Sequence, residues 1–324
     1  MGQPNVRDKV IAGPLADVSI AYRNRSYVAD RVFPIIDRVP PKAKIARYLK
    51  GAWFRDEAGI RGPGARAPRG GFPTDYIDIN TVEYSFAKEV TDEDRRASKV
   101  AGAPPMKPDE DALEFATGKI DLKKERRVAS LVLGSTWSGV AGEDAEGGWT
   151  NSGNTFITDV EDRIETIRSN TGVRPNVLLL SANTLKSIKT IDDVLDRIKY
   201  TERGIVTAAL LAAMFELDEV LIGDAIVSTA NEKADGSDFT AQNVWEKTAT
   251  KGSAFLFYRP PSPGLKTPSA GYQARTAYED GRPRRTTTWR EAAEHQDVYE
   301  VAEESHIVQV GSDLGFLWYD TILT

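Results

Sequence analysis

The stretch from Gly59 to Pro73 constrains this chain most, because Gly59, Gly62, Pro63, Gly64, Pro68, Gly70, Gly71 and Pro73 crowd into it. Proline lacks the amide donor that a helix or central strand needs, and glycine loses the most backbone freedom on ordering. Neither a helix nor a core strand can be built from such a run. On both sides the pattern changes. Ala46 to Phe54 forms one arm, and Tyr76 to Tyr84 alternates as a strand with unlike faces does. Residues 46–86 therefore read as a long two-stranded excursion with a Gly/Pro tip. Loops this long without internal structure are uncommon in compact domains and usually carry a function. The tip is also basic. Lys50, Arg55, Arg61, Arg66 and Arg69 are set against only Asp56, Glu57 and Asp75, in a chain of net charge −6. The alternative reading is a solvated flexible loop.

Upstream, residues 1–45 are weakly periodic, with short apolar pieces such as Val32-Phe33-Pro34-Ile35-Ile36. Pro34, Pro40 and Pro41 rule out a continuous helix, and the apolar residues favour an extended, docked arm over a disordered terminus. Downstream, residues 108–133 read as a long helix opened by Pro108, with Asp109, Glu110 and Asp111 where the helix dipole favours negative charge. Leu113, Ala116, Ile120, Arg127, Val128 and Leu131 fall near one face, with Lys123, Lys124, Glu125 and Arg126 largely elsewhere. Gly118 is a weak point inside it, costing about 1 kcal/mol relative to alanine.

A Gly-rich, acidic connector (134–154) leads to a helix capped by Asn154 or Thr155, with Phe156, Val160, Ile164 and Ile167 on one stripe. Asn176 to Ser181 and Glu219 to Ile222 read as buried strands. Ser181 and Thr190 can cap short helices, and Thr207 to Phe215 is another. Residues 155–227 thus form a lobe of helices around a sheet. Residues 228–250 read as a polar, exposed excursion. Ala254 to Tyr258 is a strand ended by Pro260-Pro261-Ser262-Pro263-Gly264. The tail adds strand-like runs at 286–289, 297–301 and 306–310. The fold class is α+β.

Chemistry is hard to find. At 324 residues the chain suggests about two lobes and can bury a core without staples. It has no cysteine, which excludes disulfides, thiolate catalysis and cysteine zinc sites. Its two histidines, His295 and His306, read as structural rather than as bases or ligands. The acid clusters Asp92-Glu93-Asp94, Asp109-Glu110-Asp111 and Glu143-Asp144 lack calcium-loop spacing. Gly62-Pro63-Gly64-Ala65-Arg66-Ala67 mimics a dinucleotide fingerprint but sits at a hairpin tip, and Thr117-Gly118-Lys119-Ile120 lacks the rest of a phosphate loop. There is no G-x-S-x-G and no H-E-x-x-H. No catalytic residue, cofactor or metal is expected. The acidic balance argues against sequence-reading contacts to nucleic acid. No apolar stretch reaches the roughly 20 residues that cross a bilayer. The start, Met1-Gly2-Gln3-Pro4-Asn5, lacks a signal-peptide pattern, so a soluble protein made in a cytoplasm is the expectation.

The order of several short segments resembles tailed-bacteriophage major capsid proteins of the Hong Kong 97 fold class, in particular a lambda-like branch. These segments are Phe33-Pro34-Ile35-Ile36, Trp53-Phe54-Arg55-Asp56, Arg66-Ala67-Pro68-Arg69-Gly70, Val90 to Arg95 and Lys123 to Arg127. Arg174 to Ser181, Ile191 to Lys199, and Leu210 to Phe215 leading into Val220 to Ala225 continue the series. Each is weak alone; their order carries the resemblance, over about residues 30–275. It implies an N-terminal arm (1–45), an extended β-hairpin loop (46–86) and a peripheral domain with a long spine helix (87–154). It further implies an axial domain (155–255) and a return to the peripheral domain with C-terminal strands (256–324). The tail beyond about 275 is longer than that branch usually shows. The resemblance implies a virion shell protein, made in the host bacterial cytoplasm, that forms hexamers and pentamers. It also implies scaffolding and portal proteins, a decoration protein as a further partner, and enclosed double-stranded DNA without sequence-specific binding. Arg55, Arg61, Arg66 and Arg69 are then the candidates for inter-subunit contact, with Asp109, Glu110 and Asp111 as acceptors. An encapsulin-type compartment and a cytosolic α+β enzyme are the alternatives.

Overall fold

The computed structural model describes residues 24, 26–100, 106–138, 140, 143–144, 148–149, 155–198, 206–230, 239–264 and 266–322. Residues 1–23 of the expected arm and the Asn154 cap lie outside the described residues. The one-turn helix α1 (Ala29–Val32) leads through Phe33 and Pro34 to β1 (Ile35–Ile36), and Val28, Ala29, Val32 and Phe33 are buried. β2 (Lys42–Tyr48) pairs antiparallel with β3 (Thr74–Asn80), and the one-turn helix α2 (Lys50–Trp53) follows β2. β4 (Val82–Thr91) comes one residue after β3 but belongs to another sheet. The excursion therefore runs over 42–80, not 46–86, and the single strand expected at 76–84 is split. Thr81 causes the break: its N–H donates to the Pro41 carbonyl at 3.0 Å, and its hydroxyl bonds Thr276 and Glu304.

The helix α3 (Asp92–Ser98) is capped by Thr91, whose hydroxyl accepts from the Asp94 N–H at 3.2 Å. Then α4 (Pro108–Gly134) runs unbroken through Gly118. Its buried stripe is Ala112, Ala116, Ile120, Val128 and Val132, one residue away from the expected Leu113 and Leu131. Lys124 and Glu125 are buried as well, a correction to their expected place on the outer face. Both are tolerated because they find partners: Lys124 pairs with Asp30 and Glu303, while Glu125 accepts three donors described below.

The second lobe opens with β5 (Glu143–Asp144) and α5 (Phe156–Thr171), whose Phe156, Val160, Ile164 and Ile167 are buried. β6 (Val177–Ser181) is buried along its whole length. Ser181 caps α6 (Ala182–Ile188), accepting from the Thr184 N–H at 3.3 Å. Thr190 does not cap α7 (Asp192–Ile198), because its hydroxyl donates back to the Ser187 carbonyl at 2.7 Å. Thr207 caps α8 (Ala208–Met214), which leads to β7 (Glu219–Gly223). β8 (Ile226–Ser228) and β9 (Ala241–Asn243) pair as a hairpin. The expected exposed excursion of 228–250 instead includes Trp245, which is buried. β10 (Ser253–Phe257), β11 (Gly271–Arg275), β12 (Arg284–Glu291), β13 (Gln296–Gln309) and β14 (Gly315–Tyr319) complete the chain.

Two five-stranded sheets organise these elements. In the first, β13 pairs with β11 and β12 along one edge and with β4 along the other, and β1 adds parallel to β11. α4 packs on it, Ala116 and Ile120 meeting Val301. The two runs expected at 297–301 and 306–310 are one strand, since Glu303 between them is bonded by Arg284 and approached by Lys124. The second sheet has the order β5-β14-β10-β6-β7. Leu178 and Leu180 of β6 face the cluster built with α5, and Val177 and Leu179 face a cluster shared with Phe33, Val128 and Val132. The tail expected to return wholly to the first sheet does so only through β11–β13, because β14 pairs with β10 in the second.

Candidate assembly interface

The β2–β3 hairpin carries all four candidate arginines. Leu49 N–H donates to the Pro73 carbonyl at 3.3 Å and closes its base. Beyond that point the chain makes no ladder, and every residue from 53 to 76 is exposed. The end is a turn in which Ala65 N–H donates to the Gly62 carbonyl at 3.1 Å, with Gly64 at φ +80°. That positive φ suits glycine and explains one of the tip glycines. The fingerprint-like Gly62-Pro63-Gly64 is thus a turn tip with no helix behind it.

Arg55 lies 3.7 Å from Glu57, an exposed pair. Among the described residues, Arg61, Arg66 and Arg69 make no ion pair. The candidate acceptors fare differently. Asp109 is held by Arg95, with Nε–Oδ1 at 2.9 Å, and accepts the Tyr299 hydroxyl at 2.8 Å. The Arg95 bond draws its carboxyl below the ordinary carboxylate range. Glu110 pairs with Lys107 at 2.9 Å. Asp111 is exposed and makes no ion pair among the described residues. Asp92 and Glu93, of the other acid cluster near α4, are bonded to Arg290 and Arg96. The arginines and these acids sit on separate elements, with no ion pair between the two sets among the described residues.

The sequence reading missed the aromatic side chains around the charges. At the hairpin base Tyr48, Trp53 and Phe72 have ring centroids 5.6–6.2 Å apart. Lys266 lies over the Tyr48 and Trp53 rings. Trp53 is 53% exposed, Phe54 65% and Phe72 54%. Tyr48, Trp53 and Phe54 border a cleft of about 660 Å³ that reaches Val173, Tyr272 and Leu314. Lys50 ties the base to the body through Asp313 and the Asn170 carbonyl. A second exposed aromatic pair lies on the outer side of α4, where Phe115 meets Phe86 edge-on at 5.7 Å. Asp111 is one helical turn before Phe115 and shares its face. Grouped exposed rings of this kind mark contact surfaces rather than scattered surface hydrophobics. The legible signal was Trp53-Phe54 and Phe72 bracketing a segment that has no core to enter. His306, read as structural, accepts the Asn80 N–H at Nδ1 (3.0 Å), at the end of β3.

Among the described residues no group of His, Cys, Asp or Glu could hold a metal ion, and no helix is long and apolar enough to cross a membrane. No family model matches the chain. It is 27% identical over 243 residues to the major capsid protein of Burkholderia phage BcepMu, a match covering 73% of this chain and 75% of that one. Its structure is similar to a phage-related protein from Bordetella bronchiseptica RB50, with a TM-score of 0.67, 23% identity and 93% of each chain covered. It is also similar to the capsid structure of Cyanophage P-SCSP1u, with a TM-score of 0.62, 10% identity, and 96% and 92% of the two chains covered.

Proposed function

We infer that this chain is a tailed-phage major capsid protein with the Hong Kong 97-type fold, a shell-forming structural subunit and not an enzyme. One observation carries the reading: residues 53–76 project unpaired arginines and exposed rings that a single copy leaves in water. A subunit that repeats in a closed shell buries such a segment on its neighbour, by a head-to-tail contact that can close into rings.

The finer reading rests on the resemblance to that family. The first sheet with α4 serves as the peripheral domain, the second sheet with its helices as the axial domain, and the 42–80 hairpin as the extended loop. Subunits gather in hexamers and pentamers, with a separate scaffolding protein and a portal as partners. A decoration protein is a further partner. The shell encloses double-stranded DNA without reading its sequence, and the chain is made in the host cytoplasm. For the loop contact we favour Asp111 with the Phe86–Phe115 pair on a neighbouring subunit as the seat of Arg61, Arg66 and Arg69. Asp109 and Glu110 are weaker candidates because each already has a partner in its own chain.

Two experiments test this. Sizing and negative-stain microscopy of the purified chain, at high concentration and with scaffold, should show capsomers or closed shells. A stable monomer under both conditions would falsify the assembly role, and shells filled with a cargo protein instead of DNA would overturn the enclosure reading. For the contact, the double variant Arg61→Glu/Arg66→Glu should assemble poorly, and adding Asp111→Lys should partly restore assembly in light scattering. No restoration would remove Asp111 as the acceptor.

A further inference from the structure

Glu125 is a carboxylate in the middle of α4 with 0% of its surface exposed. Burial pushes its pKa up, and the hydrogen bonds it accepts oppose that only in part. The adjacent Lys124 turns to Asp30 and Glu303. Neutral donors hold Glu125 instead. Oε1 accepts the Val28 N–H at 3.0 Å and the indole N–H of Trp245 at 2.6 Å, and Oε2 accepts the Ala29 N–H at 2.8 Å. A buried ion in such a place is costly unless the donors around it are used, and each donor left without it costs less but still carries its own desolvation penalty.

These donors come from different parts of the fold. Val28 and Ala29 open α1 in the amino-terminal segment, and Trp245 closes the β8–β9 excursion of the second lobe. Trp245 is wedged against β7, where a Cβ on Gly223 would lie 2.5 Å from its ring. The same two segments meet again at Asn24, whose amide donates to the Ile226 carbonyl at 3.0 Å and whose oxygen accepts the Ile226 N–H at 3.1 Å. The amino-terminal segment, α4 and the excursion thus form a ring of contacts with Glu125 where all three join.

We propose that Glu125 is a latch coupling the amino-terminal segment to the second lobe, so that α1 and the Trp245 turn are held together and released together. The coupling works because a carboxylate freed on one side must reorient to recover a donor, and in doing so it leaves the other side unpaired. A displacement of the arm by a neighbouring subunit is thereby felt at β7 and β8, with no direct contact between that neighbour and the lobe.

Hydrogen–deuterium exchange on the full chain tests it in both directions. Trp245→Phe removes the indole donor together with part of the buried ring, and amides in 26–33 should exchange on the order of tenfold faster, equivalent to about 1.4 kcal/mol. Val32→Ala loosens α1 without removing any donor to Glu125, yet exchange across 241–245 should rise. Glu125→Gln should raise both, and adding Val32→Ala to it should produce no further change at 241–245. If Trp245→Phe and Val32→Ala each loosen only their own segment, the latch is refuted and Glu125 is a local buried bond. Should Glu125→Gln fail to fold, those two variants decide the question without it.

Discussion

The hairpin tip and the middle of α4 hold the same kinds of side chain and use them in opposite ways. Around α4, Lys124 meets Asp30 and Glu303, and Arg284 meets Glu303 and Asp121, with Glu303 only 2% exposed. At the tip, Arg61, Arg66 and Arg69 stand in water with no ion pair among the described residues. Charges removed from water must be matched within the chain, because an unpaired buried charge costs several kcal/mol. Exposed charges carry no such penalty and remain available to a second chain. On the proposed loop contact, the difference separates residues that hold one subunit together from residues left free for a neighbour.

That division can be broken most sharply by removing the tip. Replacing residues 56–72 with a short Gly-Ser turn should abolish closed shells in microscopy while leaving the subunit's melting temperature nearly unchanged. A large fall in melting temperature would show that the tip packs within its own chain. The opposite variant, Glu303→Ala, should lower subunit stability by about 1–3 kcal/mol in denaturant unfolding, since it takes the buried partner from Lys124 and Arg284 and leaves them only Asp30 and Asp121. A loss below about 1 kcal/mol would mean that solvent reaches this network freely. A smaller effect is expected from salt. Screening acts within about 8–10 Å at physiological ionic strength, so raising salt should slow wild-type assembly while Arg61→Glu/Arg66→Glu responds less. Equal salt responses would detach the tip arginines from assembly.

The smallest effect sharpens the comparison at the point where hairpin and body meet. His306 has its pKa drawn below the usual value of 6.5 by burial and by nearby Arg127. Its Nδ1 can accept the Asn80 N–H only while unprotonated. The unfolded chain therefore binds this proton more readily than the folded one. The stability His306 contributes is complete above pH 6.5 and is lost as pH falls through its lowered value. Protection of the Asn80 amide, corrected for the base-catalysed intrinsic rate, should fall on acidification, and His306→Gln should flatten that response. An unchanged pH profile in the variant would assign the effect elsewhere.

Much of the fold could be read from local pattern. The α4 boundaries followed from Pro108 and its acids, the β6 strand from an unbroken apolar run, and the α5 stripe from its spacing. Local pattern failed where a distant residue decides. Thr81 ends a strand through Thr276 and Glu304, and Lys124 and Glu125 are buried because partners far along the chain receive them. In the candidate interface, the arginines were legible as a charge contrast. The commitment of Asp109 to Arg95 and Tyr299 was not, since both partners lie outside its helix. Nor were the aromatic pairs, because Phe86 and Phe115 are far apart in sequence and touch only when β4 meets α4.

The continuous strand β13 has a mechanical consequence. Its 14 residues are bonded to β4 along one edge and to β12 and then β11 along the other, all antiparallel. Hydrogen bonds in such a ladder lie perpendicular to the strands. Tension along β13 therefore loads many of them at once in shear, whereas tension across the sheet would peel them one pair at a time. The first sheet is stiff along one axis and compliant across it, so single-molecule pulling through residues 296 and 91 should meet far less resistance than pulling through 296 and 82.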